Sequence, residues 1–366
     1  MILDDAIVER AAVDARESPL LAVCGAGPTT VAIVVRAALS DPHLRRSYPR
    51  AEAVVLALLE LDAAGVLQVS PCAIGGALAA YYETGRTGGD RSLAYVATYQ
   101  RNWHEHRGLY DFVEAGDANS ARKALQRDSY LNHLGPHLDR LRTGEAVLDA
   151  GCGVGRLTGS LLGRGLRVTC ADASAEALKC AVRVGLRRGA TGDSLDARLC
   201  DVRDLSCFDD RSFAATIALE VICYQEDPSV ALDELVRVTA PGGLIALSVE
   251  GLYGSLIADE KLGPTAQRKV LDTAAIDIDD QLSVRYFTKG GLRALLESAG
   301  LEAIDVVGTQ YTADGVFDRL VTEAVLASEE QLRNIIALER KAATDPVLEP
   351  LARAWLATAR VPGASR

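Results

Sequence analysis

The chain has 366 residues, enough for one large or two medium domains, and 49% of them are hydrophobic, enough for a substantial core. Its 39 Lys and Arg against 50 Asp and Glu give a formal net charge of −11, which disfavours nucleic-acid and anionic-membrane partners. The eight cysteines form no C-x-x-C pair. Cys152, Cys170, Cys200 and Cys223 fall in or beside predicted core strands, as expected of small buried hydrophobes in a reducing cytoplasm.

The N-terminus resembles neither a targeting sequence nor a membrane span. Residues 1–5 carry two aspartates where a signal peptide would be basic. The apolar run at 20–39 is interrupted by Gly25 and Pro28 and contains Arg36, so we expect a core helix and its approach. These features predict a cytoplasmic protein without a membrane partner.

Residues 1–85 are predicted to form a helical domain with a winged-helix-like end. Residues 51–64 have the apolar period of a helix, and 65–70 follow as a short strand. Winged helices can bind DNA, but this segment offers few cations, so we expect a structural role and a homodimer. A cofactor-sensing, DNA-binding regulator is the alternative from another functional class.

A polar, glycine-rich linker at 84–92 leads into a second helical segment, 93–142, which precedes the predicted sheet. It holds the densest group of aromatic and histidine residues: Tyr95, Tyr99, Trp103, His104, His106, Tyr110, Phe112, Tyr130, His133 and His137. His104 and His106 would face different ways on a helix, and Gly135-Pro136 is expected to interrupt the helix between His133 and His137. We therefore predict pocket or core histidines and no metal site.

The stretch V-L-D-A-G-C-G-V-G at 147–155 organises the rest of the chain. A predicted buried strand, 145–149, is followed by three glycines and a helix at 156–163. Strand, glycine loop and helix open a doubly wound nucleotide-binding sheet, because glycines permit the tight turn and let a ligand lie against bare backbone. Arg156-Leu157 is not the Lys-Ser/Thr pair of a P-loop, and Arg156 stands where a dinucleotide fingerprint has its third glycine.

The pattern D-x-G-x-G-x-G resembles motif I of the class I S-adenosylmethionine-dependent methyltransferases. The resemblance implies S-adenosyl-L-methionine as cofactor, with Asp149 holding its cationic methionine end. It also implies that the helical segment 93–142, ahead of the first strand, caps the cofactor and contacts substrate. Asp172, after a predicted strand at 166–171, follows the first glycine by about 20 residues, the spacing of an acid that binds a ribose. The alternative is a helix start at 171–174 with Asp172 or Ser174 as the cap.

The remaining elements continue this resemblance in order and spacing. They are predicted as strand 197–202, strand 213–219, helix 230–239, strand 244–250, helix 290–299, strand 301–307, helix 323–342 and a last, antiparallel strand at 354–359. Asp201 resembles the family residue that accepts a hydrogen bond from the adenine amino group, with a turn aspartate as the alternative. R-V-x-x-P-G-G before the fifth strand resembles the small-molecule members of the family, many of which carry an N-terminal dimerisation domain.

We therefore predict an α/β fold: a Rossmann-like, seven-stranded, doubly wound sheet over 143–366, with an N-terminal mainly helical domain. The segment 251–287 is longer than a strand-to-helix connection requires. It is predicted to be a lid or substrate-side insertion, with a solvated helical excursion as the alternative.

The candidate site residues follow from the motif and from the strand ends, which face the ligand crevice in such sheets. The cofactor candidates are Asp149, Gly151, Gly153, Gly155, Asp172, Ala173, Asp201, Val202, Leu219 and Glu220. The catalytic candidates are His104, His106, Glu220 and Tyr99, with His133 and Glu250 as further bases. The substrate candidates are Trp103, Tyr224 and Tyr253.

The expected reaction is in-line methyl transfer to O, N or C of a small molecule, in specialised metabolism. A sulfonium methyl is already electrophilic, so the protein must align the reactants, exclude water and accept a proton. Transfer of the aminocarboxypropyl group, or cyclisation of the cofactor, is the alternative within the same pocket.

Overall fold

The computed structural model describes residues 38–47, 54, 57, 118–258, 262–277 and 283–363. The chain divides into two compact units: Met1–Tyr110 with Cys152–Asp201, and Asp111–Gly151 with Val202–Arg366. Within the described ranges, every helix is too short or too polar to span a bilayer. The predicted winged helix falls almost wholly outside these ranges, although Val54 and Ala57 are helical. The predicted domain boundaries therefore stay predictions.

The helices are α1 Leu44–Ser47, α2 Ala118–Leu138, α3 Thr158–Leu162, α4 Ala175–Arg187, α5 Pro228–Val238, α6 Leu252–Ala258, α7 Pro264–Thr273, α8 Lys289–Ser298, α9 Glu323–Leu326 and α10 Glu329–Ala342. The strands are β1 Ala146–Ala150, β2 Arg167–Asp172, β3 Leu195–Leu199, β4 Phe213–Leu219, β5 Thr239–Glu250, β6 Ala275–Asp277, β7 Ser283–Arg285, β8 Glu302–Thr309 and β9 Ala354–Arg360. All but β6 and β7 belong to one mixed, seven-stranded sheet, which confirms the predicted fold class.

In the first unit, β2 and β3 pair in parallel and α4 packs against both strands. The Ser174 hydroxyl caps α4 by accepting the Ala177 N–H at 3.2 Å. The predicted boundaries of the third strand, 197–202, are wrong. The strand is 195–199, because its last ladder contact is the Cys200 N–H donating to the Asp172 carbonyl at 3.1 Å. Asp201 follows as a loop residue.

In the second unit, five strands run in the order β1-β4-β5-β9-β8. β1, β4 and β5 are parallel, and β9 is antiparallel to both β5 and β8, as predicted for the last strand. The central strands are near-continuous apolar runs because both of their faces are buried.

β5 begins at Thr239, five residues before the predicted start at Leu244. The pairing partners step from Thr239 to Leu244 while β4 advances only from Phe213 to Ala215, so the intervening residues form a bulge. Gly242 and Gly243 in the bulge pair with the backbone of Val361 instead.

Two helix predictions are corrected. α2 continues through Pro136, so Gly135-Pro136 does not interrupt it. The proline removes one helical hydrogen bond close to the helix end, where the Asp139 N–H still reaches the Gly135 carbonyl at 2.8 Å. The helix predicted at 323–342 is two helices, because the Ser328 hydroxyl accepts the Gln331 N–H and starts α10 anew.

The segment after β5 is a small substructure whose two ends are hydrogen-bonded to each other. α6, α7 and the β6–β7 hairpin bury their own cluster of Leu252, Val270, Val284 and Tyr286. The two ends of the segment bond to each other, through Phe287 N–H to the Glu250 carbonyl and Leu252 N–H to the Phe287 carbonyl. The described part is therefore not a simple extended connection.

Candidate active site

Two glycines in the motif occupy positions that exclude a side chain. Gly151 has φ of 70°, and a Cβ there would lie 2.3 Å from a methyl of Val221. Gly155 has φ of 89°, and a Cβ there would lie 2.9 Å from the Ala181 Cα. Both the backbone conformation and the close packing therefore require glycine.

The Asp172 carboxylate is tied to the same motif. One oxygen accepts the Gly153 N–H at 2.8 Å, and the other accepts the Ser174 N–H at 2.8 Å. Only 3% of the residue is exposed, and burial raises its pKa to about 6 although the Ser174, Gly153 and Ala173 N–H groups lower it. The predicted helix start is capped by Ser174 and not by Asp172.

The Asp172 carboxylate retains acceptor capacity for a hydroxyl donor on a ligand. A carboxylate has about four acceptor positions, and the Gly153, Ser174 and Ala173 N–H groups bond to it. The remaining capacity can accept a ribose hydroxyl. The residues thus fit the cofactor that motif I implies.

In the second unit, Glu220 ends β4 in an unusual conformation. Its φ is 57°, in the left-handed region that residues with side chains avoid. Its N–H donates to the Ser248 hydroxyl at 2.9 Å and carbonyl at 3.1 Å. One oxygen of its carboxylate accepts the Tyr130 hydroxyl at 2.7 Å and the Gln310 amide at 3.1 Å. Tyr130 is fully buried, so this side chain is held in a fixed direction.

Helix α2 presents a row of donors at i, i+4 and i+8. Arg122 pairs with Asp318 and donates to the Val321 carbonyl at 2.8 Å, and Gln126 donates to Asp314. Tyr130, one turn further, donates to Glu220. One helix face thereby binds both the end of β4 and the loop after β8.

Glu250, a candidate base, sits in a different environment. It is 5% exposed and forms an ion pair with Arg353. Its carboxylate also accepts the Tyr224 hydroxyl at 2.9 Å and the Ser255 hydroxyl at 3.3 Å. Glu250 and Tyr224, a substrate candidate, therefore hold each other at the base of the 251–287 segment.

His133, the other described base candidate, borders a cavity of about 510 Å³ between α2 and α10. The cavity lining includes Leu125, Ser129, His133, Leu332, Ile336 and Glu339. Burial lowers the pKa of His133, and the charge of Glu339 opposes that shift. His133 is thus favoured in its neutral form.

The other predicted residues are placed as follows. Asp149 is buried in β1, Ala173 is half-buried after β2, and Val202 is buried. Leu219 is half-buried at the end of β4, and Tyr253, on α6, is 44% exposed. Tyr99, Trp103, His104 and His106 lie outside the described residues. In the part of the chain that the structure describes, no group of three or more His, Cys, Asp or Glu could hold a metal.

Cysteine burial follows the prediction with one correction. Cys152, Cys170 and Cys223 are buried and form no disulfide, whereas Cys200 is only half-buried. Cys200 lies just beyond the corrected end of β3, where the sheet no longer covers it.

Sequence reasoning missed the partners of Glu220. Gln310 belongs to no motif, and Tyr130 is one of many aromatic residues in its segment. A left-handed residue after β8, such as Gln310 with φ of 61°, is a signal that only a structure supplies.

Comparison with known proteins gives consistent similarities. Residues 148–247 match the family described as a methyltransferase domain. The chain is 28% identical over 197 residues to a ubiquinone biosynthesis O-methyltransferase of Xanthomonas oryzae pv. oryzae, covering 53% of this chain and 78% of that protein. A protein with the same description from Psychrobacter arcticus is 24% identical over 226 residues, covering 62% of this chain and 79% of its own.

Among solved structures, a phosphoethanolamine N-methyltransferase 2 of Haemonchus contortus, in complex with S-adenosyl-L-methionine, is 16% identical with a TM-score of 0.47. The match covers 73% of this chain and 60% of that one. The matched family over 148–247 and the curated relatives support a class I S-adenosylmethionine-dependent methyltransferase, with S-adenosyl-L-methionine as the cofactor.

Proposed function

We propose that this methyltransferase transfers the methyl group to a hydroxyl oxygen of a small molecule and that Glu220 accepts the proton. The observation that carries the proposal is the carboxylate at the end of β4, fixed by Tyr130 and Gln310. Strand ends of open α/β sheets are where ligands bind. The curated relatives are named O-methyltransferases, which favours oxygen over nitrogen or carbon.

The cofactor, when bound, supplies an electrophilic sulfonium methyl. We assign its ribose hydroxyls to Asp172, its adenine amino group to Asp201 and its methionine end to Asp149. The glycine positions, with Ala173, Val202, Leu219 and Glu220, complete the proposed binding set. Asp172 is held by the Gly153, Ser174 and Ala173 N–H groups and retains acceptor capacity for a ribose hydroxyl.

Glu220 is the better base among the described carboxylates at strand ends. Glu250 is paired with the guanidinium of Arg353, so protonating it would break an ion pair. Two of the donors to Glu220, the phenol of Tyr130 and the amide of Gln310, are neutral groups that hold its direction. The carboxylate can therefore be aimed and still accept a proton.

The acceptor side is completed by residues that remain predictions. We propose that Tyr224, Tyr253 and Trp103 contact the acceptor, and that Tyr99, His104 and His106 border it and exclude water. Specialised metabolism is the proposed setting. A quinone precursor is the competing acceptor, because the curated relatives are named for ubiquinone biosynthesis.

A mass-spectrometric screen tests the function. The full chain is incubated with S-adenosyl-L-methionine and panels of catechols, other phenols, amines and carbon acids, and each acceptor is examined for the mass of one added methyl group. Glu220→Gln should lose turnover by about a hundredfold, the usual contribution of a general base, in excess of any change in its affinity for the cofactor. Methylation of amines alone, or full turnover in Glu220→Gln, would contradict the proposal.

A further inference from the structure

The two donors to Glu220 come from elements that are distant in sequence. Tyr130 belongs to α2, and Gln310 follows β8. A carboxylate keeps one direction only if both of its donors keep theirs. Both donors are connected to one further side chain, Glu339 on α10.

Glu339 binds the turn after β8 along its backbone. Its carboxylate accepts the Gln310 N–H at 2.5 Å and the Tyr311 and Thr312 N–H groups at 3.0 Å. The Thr312 hydroxyl adds a bond of 2.9 Å. Three successive N–H groups converging on one anion stabilise the left-handed conformation of Gln310, which is otherwise unfavourable. That conformation directs the Gln310 side chain toward Glu220.

Glu339 also binds α2. It accepts the Ser129 hydroxyl at 3.2 Å, and Ser129 directly precedes Tyr130. The same carboxylate therefore fixes the helical position whose next residue donates to Glu220. Ser129 is 7% exposed and Tyr130 is fully buried, so neither can move freely.

We propose that Glu339 is a positioning residue for Glu220, acting through Gln310 and through Ser129 and Tyr130. It holds two donors from separate elements against one oxygen of Glu220. The proposal rests on the proposed function in that Glu220 is the group whose direction matters for the reaction.

The test measures the titration of Glu220 directly. The protein is labelled with carbon-13 at glutamate side-chain carboxyls, and the Glu220 resonance is identified by its loss in Glu220→Gln. Glu339→Gln should release the donors, and a carboxylate that loses a hydrogen bond becomes easier to protonate. We expect the Glu220 midpoint to rise by about one pH unit.

The direction in which the Glu220 midpoint shifts distinguishes a positioning role of Glu339 from the effect of its negative charge alone. If Glu339 acted only as a neighbouring negative charge, its removal would lower the midpoint. A lowered or unchanged midpoint therefore overturns the proposal. Asp314 and Cys223, which interact electrostatically with Glu220, are left in place by every variant, as is Arg353.

Matched variants complete the design. Tyr130→Phe as a single variant should raise the Glu220 midpoint. Combined with Glu339→Gln, it should raise the midpoint by less than the sum of the two single shifts. Glu330→Gln, on the exposed face of α10, should leave it unchanged. If Glu339→Gln does not fold, Ser129→Ala removes one bond to Glu339 and should give a smaller rise, whose absence also overturns the proposal.

The titration requires neither cofactor nor acceptor, so it can fail separately from the proposed function. Full turnover in Glu220→Gln would remove Glu220 as base while leaving the titration result intact. With a known acceptor, Glu339→Gln should reduce kcat about tenfold without changing cofactor affinity. It should also move the acid limb of the kcat/KM profile to higher pH.

Discussion

Asp172, the proposed ribose acceptor, is a buried carboxylate whose pKa is raised by its burial. Its pKa of about 6 in the folded protein lies above the ordinary 3.8. Between these values the folded state holds a proton that the unfolded state has released. Stability therefore falls as pH rises through this window, by on the order of 2–3 kcal/mol if Asp172 is considered alone.

Cofactor binding should have the opposite pH dependence. Ribose hydroxyls donate to the ionised form, so the Kd for S-adenosyl-L-methionine should decrease as pH rises from 5 to 7. Asp172→Asn should weaken binding by roughly 1.5–3 kcal/mol and abolish this dependence. Calorimetric titration across that range is the measurement, with Asp196→Asn, a 45% exposed partner of Arg198, as control. An unchanged pH dependence in Asp172→Asn would exclude the assignment.

Replacing Gly155, in the glycine loop, and Gly159, in α3, by alanine should change the free energy of unfolding in opposite directions. Gly155→Ala places a Cβ against the Ala181 backbone at a positive φ and should destabilise by about 1–2 kcal/mol or more. Gly159→Ala lies inside α3 with no atom closer than 3.5 Å and should stabilise by about 0.5–1 kcal/mol. Urea unfolding of both variants measures the two changes in the free energy of unfolding. Changes in the same direction would contradict the packing argument.

At the scale of elements, α5 holds the segment between β3 and β4. Arg237 donates to the Leu205 carbonyl at 2.9 Å and the Phe208 carbonyl at 3.2 Å, while Glu234 accepts the Leu205 N–H at 2.7 Å. The Glu234 and Asp210 carboxylates raise the pKa of Arg237, which remains charged at every working pH. One side-chain pair thus supplies the backbone partners of this loop.

Arg237→Met should destabilise the protein by about 2 kcal/mol, because two carbonyls and two carboxylates lose a donor. Arg333→Met is the control, since Arg333 is 70% exposed and pairs only with Glu329 across one turn among the described residues, worth about 0.3–0.5 kcal/mol. Denaturant midpoints measure both. Faster amide exchange at Leu205 in Arg237→Met alone would locate the effect in the loop.

The local signals explain which elements were predictable. β4 was predicted at its observed bounds, 213–219, because an apolar run between turn residues needs no partner to be recognised. The bulge at 240–243 depends on backbone hydrogen bonds to Val361, which is distant in sequence. The break between α9 and α10 depends on the Ser328 hydroxyl accepting a backbone N–H. Which hydrogen bonds form at such positions is decided by tertiary contacts, and the hydrophobic periodicity of the sequence does not contain that information.

The candidate site divides in the same way. The placement of Asp172 beside the glycine loop was predictable, because it depends on the local spacing between the glycines and the end of the next strand. The contact between Tyr130, Gln310 and Glu220 joins three separate stretches through single hydrogen bonds. Each of these residues is unremarkable in its own stretch, so no sequence pattern marks the group.

At the scale of the whole molecule, we predict a homodimer mediated by residues 1–85. The apolar helical pattern there, separate from the catalytic sheet, motivates the prediction. Sedimentation velocity should give a dimer for the full chain and a monomer for a truncated protein beginning near Gly88. An identical distribution of species for the two proteins would exclude this segment as the interface.

β9 is the last strand along the sequence but lies between β5 and β8 in the sheet. During synthesis, β5 and β8 must therefore leave the ribosome with their facing edges unpaired until residues 354–360 emerge. The long-range pairing of β5 with β9 also favours slow completion of the sheet. The nascent chain is thus expected to depend on chaperones during this interval. Truncated chains that end before Ala354 should be insoluble.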